Sequence, residues 1–149
     1  MSRLKSAAGT PRSLARGKPV IRNQAKPRVV IADDHPEMLE RVASILRPEF
    51  DVLFTAHDGL SAWKYIRELE PDIAVLDLYL PGMNGLEIVR ALKPSGSRTV
   101  VVIMSGYDDF EITQEAIKAG ALAFILKARL GLELVPVMRQ AAQRAGLSR

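Results

Sequence analysis

The sequence predicts an α/β fold, a five-stranded parallel sheet with helices on both faces, and three observations carry that prediction. Five short apolar runs recur at residues 29–32, 52–54, 73–76, 99–104 and 123–126. Each is apolar almost without interruption, the pattern of a strand buried on both faces rather than on one. Between them lie stretches with apolar residues at helical spacing, and such alternation builds one open sheet with right-handed crossovers.

The first helix is expected from Pro36 to Leu46, which puts Met38, Leu39, Val42, Ile45 and Leu46 on one face. Asp58 is placed to cap a second helix carrying Leu60, Trp63, Ile66 and Leu69, and Asn84 a third over residues 86–92. Asp108 or Asp109 begins a fourth that runs to Ala119, with Gly120 as its stop. The last amphipathic stretch covers residues 132–145 and contains Pro136. Proline is harmless in a first turn and costs roughly 3 kcal/mol further in, so the regular helix is expected to begin close to residues 133–136. Five β–α units match the five-stranded flavodoxin-like order 2-1-3-4-5 better than the six-stranded dinucleotide type. No Gly-x-Gly-x-x-Gly follows the first strand, which disfavours a nucleotide-dependent oxidoreductase. In either order, ligands sit beyond the carboxyl ends of the strands.

The chain of 149 residues, 48% of them hydrophobic, is long enough for one domain with a real core. It has no cysteine, which excludes disulfides, zinc–thiolate sites and a thiol nucleophile. Residues 1–28 hold eight basic side chains and no acid, leaving thirteen basic and seventeen acidic residues in the rest, so the net charge of +4 belongs to the tail. Residues 1–27, rich in Gly and Pro and without apolar periodicity, are expected to be a disordered tail ahead of a domain at residues 28–149. Lacking aromatic residues for base stacking, the tail is expected to bind anionic surfaces only weakly. No apolar run is long enough to span a membrane and no secretory pattern opens the chain, so a cytoplasmic protein is expected. No separate helix-turn-helix follows the last helix. Output is therefore expected to run through a downstream protein partner or a homodimer, with no dedicated DNA-binding domain.

The residues at the strand ends carry the chemistry. The first strand ends in Asp33 and Asp34, the third in Asp77, the fourth in Ser105 and the fifth in Lys127. The strand order brings all five to one edge. Two carboxylates about 4 Å apart repel by roughly 4 kcal/mol at an effective dielectric near 20, so a proton or a cation must relieve them. Hard oxygen ligands suit magnesium. Sulfur is absent, and His35 is read as a helix-start residue facing elsewhere, so zinc is not expected. A carboxylate nucleophile, a metal, a lysine and a hydroxyl together form a phosphoryl-transfer site. Taken singly, each residue has a plainer reading: a turn or cap for the acids, a solvated loop charge for Lys127, a turn for Ser105, core for Phe124.

Four segments carry a resemblance. They are Val29-Val30-Ile31-Ala32-Asp33-Asp34-His35, Ile73-Ala74-Val75-Leu76-Asp77-Leu78-Tyr79-Leu80-Pro81-Gly82-Met83-Asn84-Gly85, Val102-Ile103-Met104-Ser105-Gly106, and Ala121-Leu122-Ala123-Phe124-Ile125-Leu126-Lys127. In this order and spacing the chain from Arg28 to about Ala145 resembles the receiver domain of two-component response regulators. The resemblance implies Asp77 as phosphoacceptor. It implies Asp34 as a direct magnesium ligand, Asp33 as one acting mostly through water, and the Tyr79 backbone carbonyl as the third protein ligand. Lys127 would contact the phosphoryl group, Ser105 would be the switch hydroxyl, and Phe124 the aromatic whose rotamer follows it. The fourth helix, fifth strand and fifth helix (residues 110–145) would form the output face. The phosphoryl donor would be a histidine kinase or a histidine phosphotransfer protein, and the domain would be a switch rather than an enzyme. Tyr79 and Tyr107 fall at positions that tune phosphoryl lifetime in the family, and two aromatics there imply slow self-dephosphorylation.

One departure is Ala128, where the family often has proline after the lysine. Either a cis bond costing about 2.5–4 kcal/mol or a remodelled loop through residues 128–131 is expected. Two other functions remain in view. A catalytically silent receiver serving as a protein-binding module is opposed by the presence of all five site residues. An aspartyl-phosphate phosphohydrolase commonly has a second acid two residues after its nucleophile, where this chain has Tyr79.

Overall fold

The computed structural model describes residues 25–146. Strands and helices alternate: β1 (Arg28–Ala32), α1 (Pro36–Leu46), β2 (Asp51–Ala56), α2 (Gly59–Leu69), β3 (Ile73–Asp77), α3 (Gly85–Ser95), β4 (Val100–Ser105), α4 (Phe110–Ala119), β5 (Ala123–Leu126) and α5 (Leu130–Arg144). All neighbouring strands are parallel, in the order β2-β1-β3-β4-β5. This is the expected flavodoxin-like order.

The continuous apolar strands are explained by two cores, one on each face of the sheet. Val29 and Ile31 of β1, with Val75, Val102, Met104 and Ile125, pack beneath α1 and α5. Val30 and Ala32, with Ala74, Leu76, Val101 and Ile103, pack beneath α2, α3 and α4. Successive residues of a strand point to opposite faces, so both sets must be apolar.

The helix starts are fixed by side chains. Asp58 accepts from the Ser61 N–H at 2.8 Å. Asn84 and Glu87 form a reciprocal capping box, both bonds at 2.8 Å. Asp109, not Asp108, caps α4 by accepting from the Ile112 N–H. Gly120, with φ of 124°, ends that helix in a backbone conformation that favours glycine.

The last helix departs from expectation. It begins at Leu130, directly after a 3-10 turn over Lys127–Arg129, and Pro136 lies inside it. The described residues contain no cis peptide bond, so the loop after Lys127 is the remodelled alternative. Burial decides the helix start: Leu130, Leu134, Met138 and Ala141 all reach the α1–α5 core. Each large apolar side chain contributes roughly 1.5–3 kcal/mol, which together exceeds the roughly 3 kcal/mol cost of an interior proline. Leu132, whose carbonyl proline deprives of its donor, is 77% exposed, so water has access to that turn.

Of the expected tail, residues 1–24 lie outside the described residues. Residues 25–27 lead into β1, and the Pro27 carbonyl accepts from the Asp51 N–H. Among the described residues, no helix is long and apolar enough to cross a membrane.

Candidate functional site

Asp33, Asp77 and Ser105 are the buried polar or charged residues among those described, at 0%, 5% and 0% exposure. All three stand at the carboxyl edge of the sheet. Buried carboxylates need partners or a cation, so their grouping marks a site rather than a packing accident. The sheet register assembles it. Ala32 pairs with Leu76, so Asp33 and Asp77 follow side by side from β1 and β3. Asp77 pairs with Met104 and Ser105 with Leu126, which brings Ser105 and Lys127 to the same edge.

Lys127 reaches across this edge. Its Nζ lies 2.7 Å from Asp33 Oδ2 and 3.3 Å from Asp77 Oδ2. The lysine thus bridges two acids and sits closer to Asp33 than to Asp77. The buried Asp33 Oδ2 has this ammonium as its partner. Burial pushes the Asp77 carboxyl above its ordinary range, and the Asp33 charge pushes the same way. Lys127 and the Tyr79 N–H, which donates to the carboxylate, only partly offset this. For the Lys127 ammonium, burial acts downward, yet the Asp33 and Asp77 carboxylates outweigh it and hold the group above its usual value.

The loop after β3 is pinned close to the sheet. The Leu78 N–H donates to the Met104 carbonyl at 2.9 Å, and the Gly85 N–H to the Leu78 carbonyl at 2.8 Å. A Cβ at Gly85 would stand 2.8 Å from the Asp77 carbonyl oxygen, so only glycine permits this approach. Tyr79 and Tyr107 leave β3 and β4 and meet edge to face, with ring centroids 5.9 Å apart. Ser105 Oγ accepts from the Tyr107 N–H at 3.1 Å. Phe124 is half-buried and packs on the core beneath α2, α3 and α4.

His35 corrects the reading that set it apart from the acids. It does occupy the position before α1, but its side chain makes no capping bond. Nδ1 lies 3.1 Å from Asp34 Oδ1 and 3.3 Å from Asp33 Oδ1. The cause is a local turn in which Asp33 Oδ1 accepts from the His35 N–H at 2.9 Å, folding the chain back over the carboxylates. An Asp two residues ahead of a histidine is the signal that could have shown this.

The donor set fits a divalent cation. Asp33, Asp34 and His35 each offer a ligand atom, all within 4.8 Å of one another.

The sequence model of the response regulator receiver domain matches residues 29–138. NarL of Mycobacterium tuberculosis, named a probable transcriptional regulatory protein, is 35% identical over 120 residues, covering 79% of this chain and 56% of that protein. The DNA-binding response regulator MtrA of Mycolicibacterium smegmatis is 33% identical over 118 residues, or 78% of this chain and 51% of MtrA. Among solved structures, the NarL signal receiver domain from Mycobacterium tuberculosis superposes with a TM-score of 0.76 at 34% identity, covering 79% of this chain and 97% of that one. The response regulator domain of Thermotoga maritima CheB gives 0.73 at 30% identity, with 80% and 98% covered.

The chain spans about half the length of the curated relatives it matches. Those relatives are named transcriptional and DNA-binding regulators, which overturns the expectation of output through a partner protein or homodimer without a dedicated DNA-binding domain. That expectation took the lack of a helix-turn-helix here as a property of the whole output, although the chain corresponds to only part of such proteins. With its sheet order, its edge of acids and lysine, and a family match over most of its length, the chain belongs to the response regulator receiver domains of two-component systems.

Proposed function

We propose that the domain accepts a phosphoryl group on Asp77, with magnesium, from the phosphohistidine of a histidine kinase or phosphotransfer protein. The observation that carries this reading is the buried Asp77 carboxylate, 3.3 Å from a lysine that it shares with a second buried acid. An Asp77 oxygen attacks phosphorus. The new O–P bond forms as the donor's N–P bond breaks, the electron pair returning to the imidazole nitrogen. The burial that raises the Asp77 carboxyl also makes its anion a better nucleophile. Asp33, Asp34, Asp77 and the Tyr79 carbonyl would hold the ion, which when bound neutralises charge on the phosphoryl oxygens. Lys127 is already at Asp77 and needs little movement to pair with a phosphoryl oxygen.

The added group brings charge and strong acceptors to this edge. Ser105 turns its hydroxyl toward them, Phe124 fills the space released, and the face made by α4, β5 and α5 changes shape. The domain is a two-state switch biased by one group, and the bias equals the difference in that group's interactions with the two states. Tyr79 and Tyr107, which follow β3 and β4 and meet edge to face, would shield the acyl phosphate from water and slow its loss.

Borohydride trapping after incubation with a small-molecule phosphodonor and magnesium tests the assignment. Reduction of the acyl phosphate at Asp77, found by peptide mapping, supports it. Label at another acid, or none, removes it and leaves the silent binding module as the better reading.

A further inference from the structure

We propose that His35 is itself a ligand of the cation held at the acid pair, so that the site favours divalent cations that accept nitrogen, the nickel and copper class, more than its oxygen ligands alone would. The proposal rests on the reading above only in placing a divalent cation on Asp33 and Asp34.

The spacing is that of donors sharing one ion. Neighbouring ligands of a six-coordinate cation with bonds of about 2.1 Å stand about 3 Å apart. His35 Nδ1 stands 3.1 Å from Asp34 Oδ1 and 3.3 Å from Asp33 Oδ1. The imidazole is also held in place from below. Its residue's N–H is fixed to Asp33 at 2.9 Å, and its carbonyl accepts from Leu39 at the first turn of α1. The ring makes no capping bond, and its side chain is 73% exposed, so an ion can reach it from solvent. Asp33 is itself fully buried, and Lys127 holds its Oδ2 at 2.7 Å, so its Oδ1 is fixed toward the ring and Asp34.

The plainer reading is that Nδ1–H merely donates to the two acids. The same geometry serves the other tautomer, with the hydrogen on Nε2 and the Nδ1 lone pair turned to the carboxylates. In that form the Nδ1 lone pair faces two carboxylate oxygens, and a shared cation relieves the repulsion among the three. Oxygen donors alone suit magnesium, whereas imidazole adds affinity for nickel and copper. Carboxylate sites already bind those ions more tightly than magnesium, so the informative quantity is how the preference changes when the ring is removed.

The test compares the chain with His35→Gln, a change at an exposed side chain that keeps size and polarity. Nickel and magnesium affinities are measured by titration at a pH where free imidazole is neutral. The nickel-over-magnesium preference is expected to fall by about tenfold or more in the variant, the scale seen when a metal site loses a supporting group. Pulsed EPR of the substoichiometric copper complex is expected to show imidazole nitrogen coupling that disappears in His35→Gln. An unchanged preference overturns the proposal, as does coupling that is absent from the parent chain or persists in the variant. Phosphoryl uptake with magnesium is followed in both proteins. Uptake with an unchanged preference removes the histidine ligand alone, whereas a histidine-dependent preference without uptake removes the receiver chemistry alone.

Discussion

At the scale of single residues, Asp77 and Asp33 compete for one cation. Burial raises the Asp77 carboxyl, so over the window above the ordinary carboxylate range the folded protein holds a proton that the unfolded chain has lost. Stability attached to this group is therefore present at low pH and falls as pH rises through the folded-state value. Asp77→Asn removes that loss. The variant is expected to melt a few degrees higher than the parent at neutral pH, with the gap closing toward acid, as thermal melts across pH will show. Lys127→Ala acts in the opposite sense, because it leaves two buried carboxylates without a counter-charge. A loss of about 2 kcal/mol at neutral pH is expected in denaturant titrations, with a larger recovery on adding magnesium than the parent shows. Tyr79→Ala and Tyr107→Ala each remove one ring of the edge-to-face pair proposed to shield the acceptor. Loss of the phosphoryl group is expected to speed up several-fold in either variant when followed by intact mass over time. An unchanged lifetime in both would show that the ring contact is packing alone.

At the scale of elements, the capped helices and the last helix teach different lessons. Asp58, Asn84 and Asp109 set their helix starts by local hydrogen bonds, so those starts were legible from residue type. The start of α5 depends on what Leu130 and Leu134 bury against, which no local pattern states. Pro136 is tolerated there at a cost, having no N–H to donate within the helix. Pro136→Ala is expected to raise stability by about 1–3 kcal/mol without altering phosphoryl uptake, measured by denaturant unfolding. A loss of stability instead would mean that the ring makes a packing contribution larger than the missing bond.

At the scale of the whole molecule, the sheet turns a linear sequence into a site. Strand order was legible because five apolar strand runs leave few ways to alternate with five helices. Convergence of Asp33, Asp77, Ser105 and Lys127 then followed from their places at strand ends. What the sequence did not reveal is pairing within the site. Whether Lys127 leans to Asp33 or Asp77 is decided by about half an ångström, and whether the His35 ring faces the acids is decided by a turn of two residues. The most direct test of the central claim is the intact mass of the chain and of Asp77→Asn after incubation with a phosphodonor, with and without magnesium. One added phosphoryl group is expected on the parent chain, dependent on magnesium and absent from the variant. No addition, or equal addition to both proteins, would contradict it.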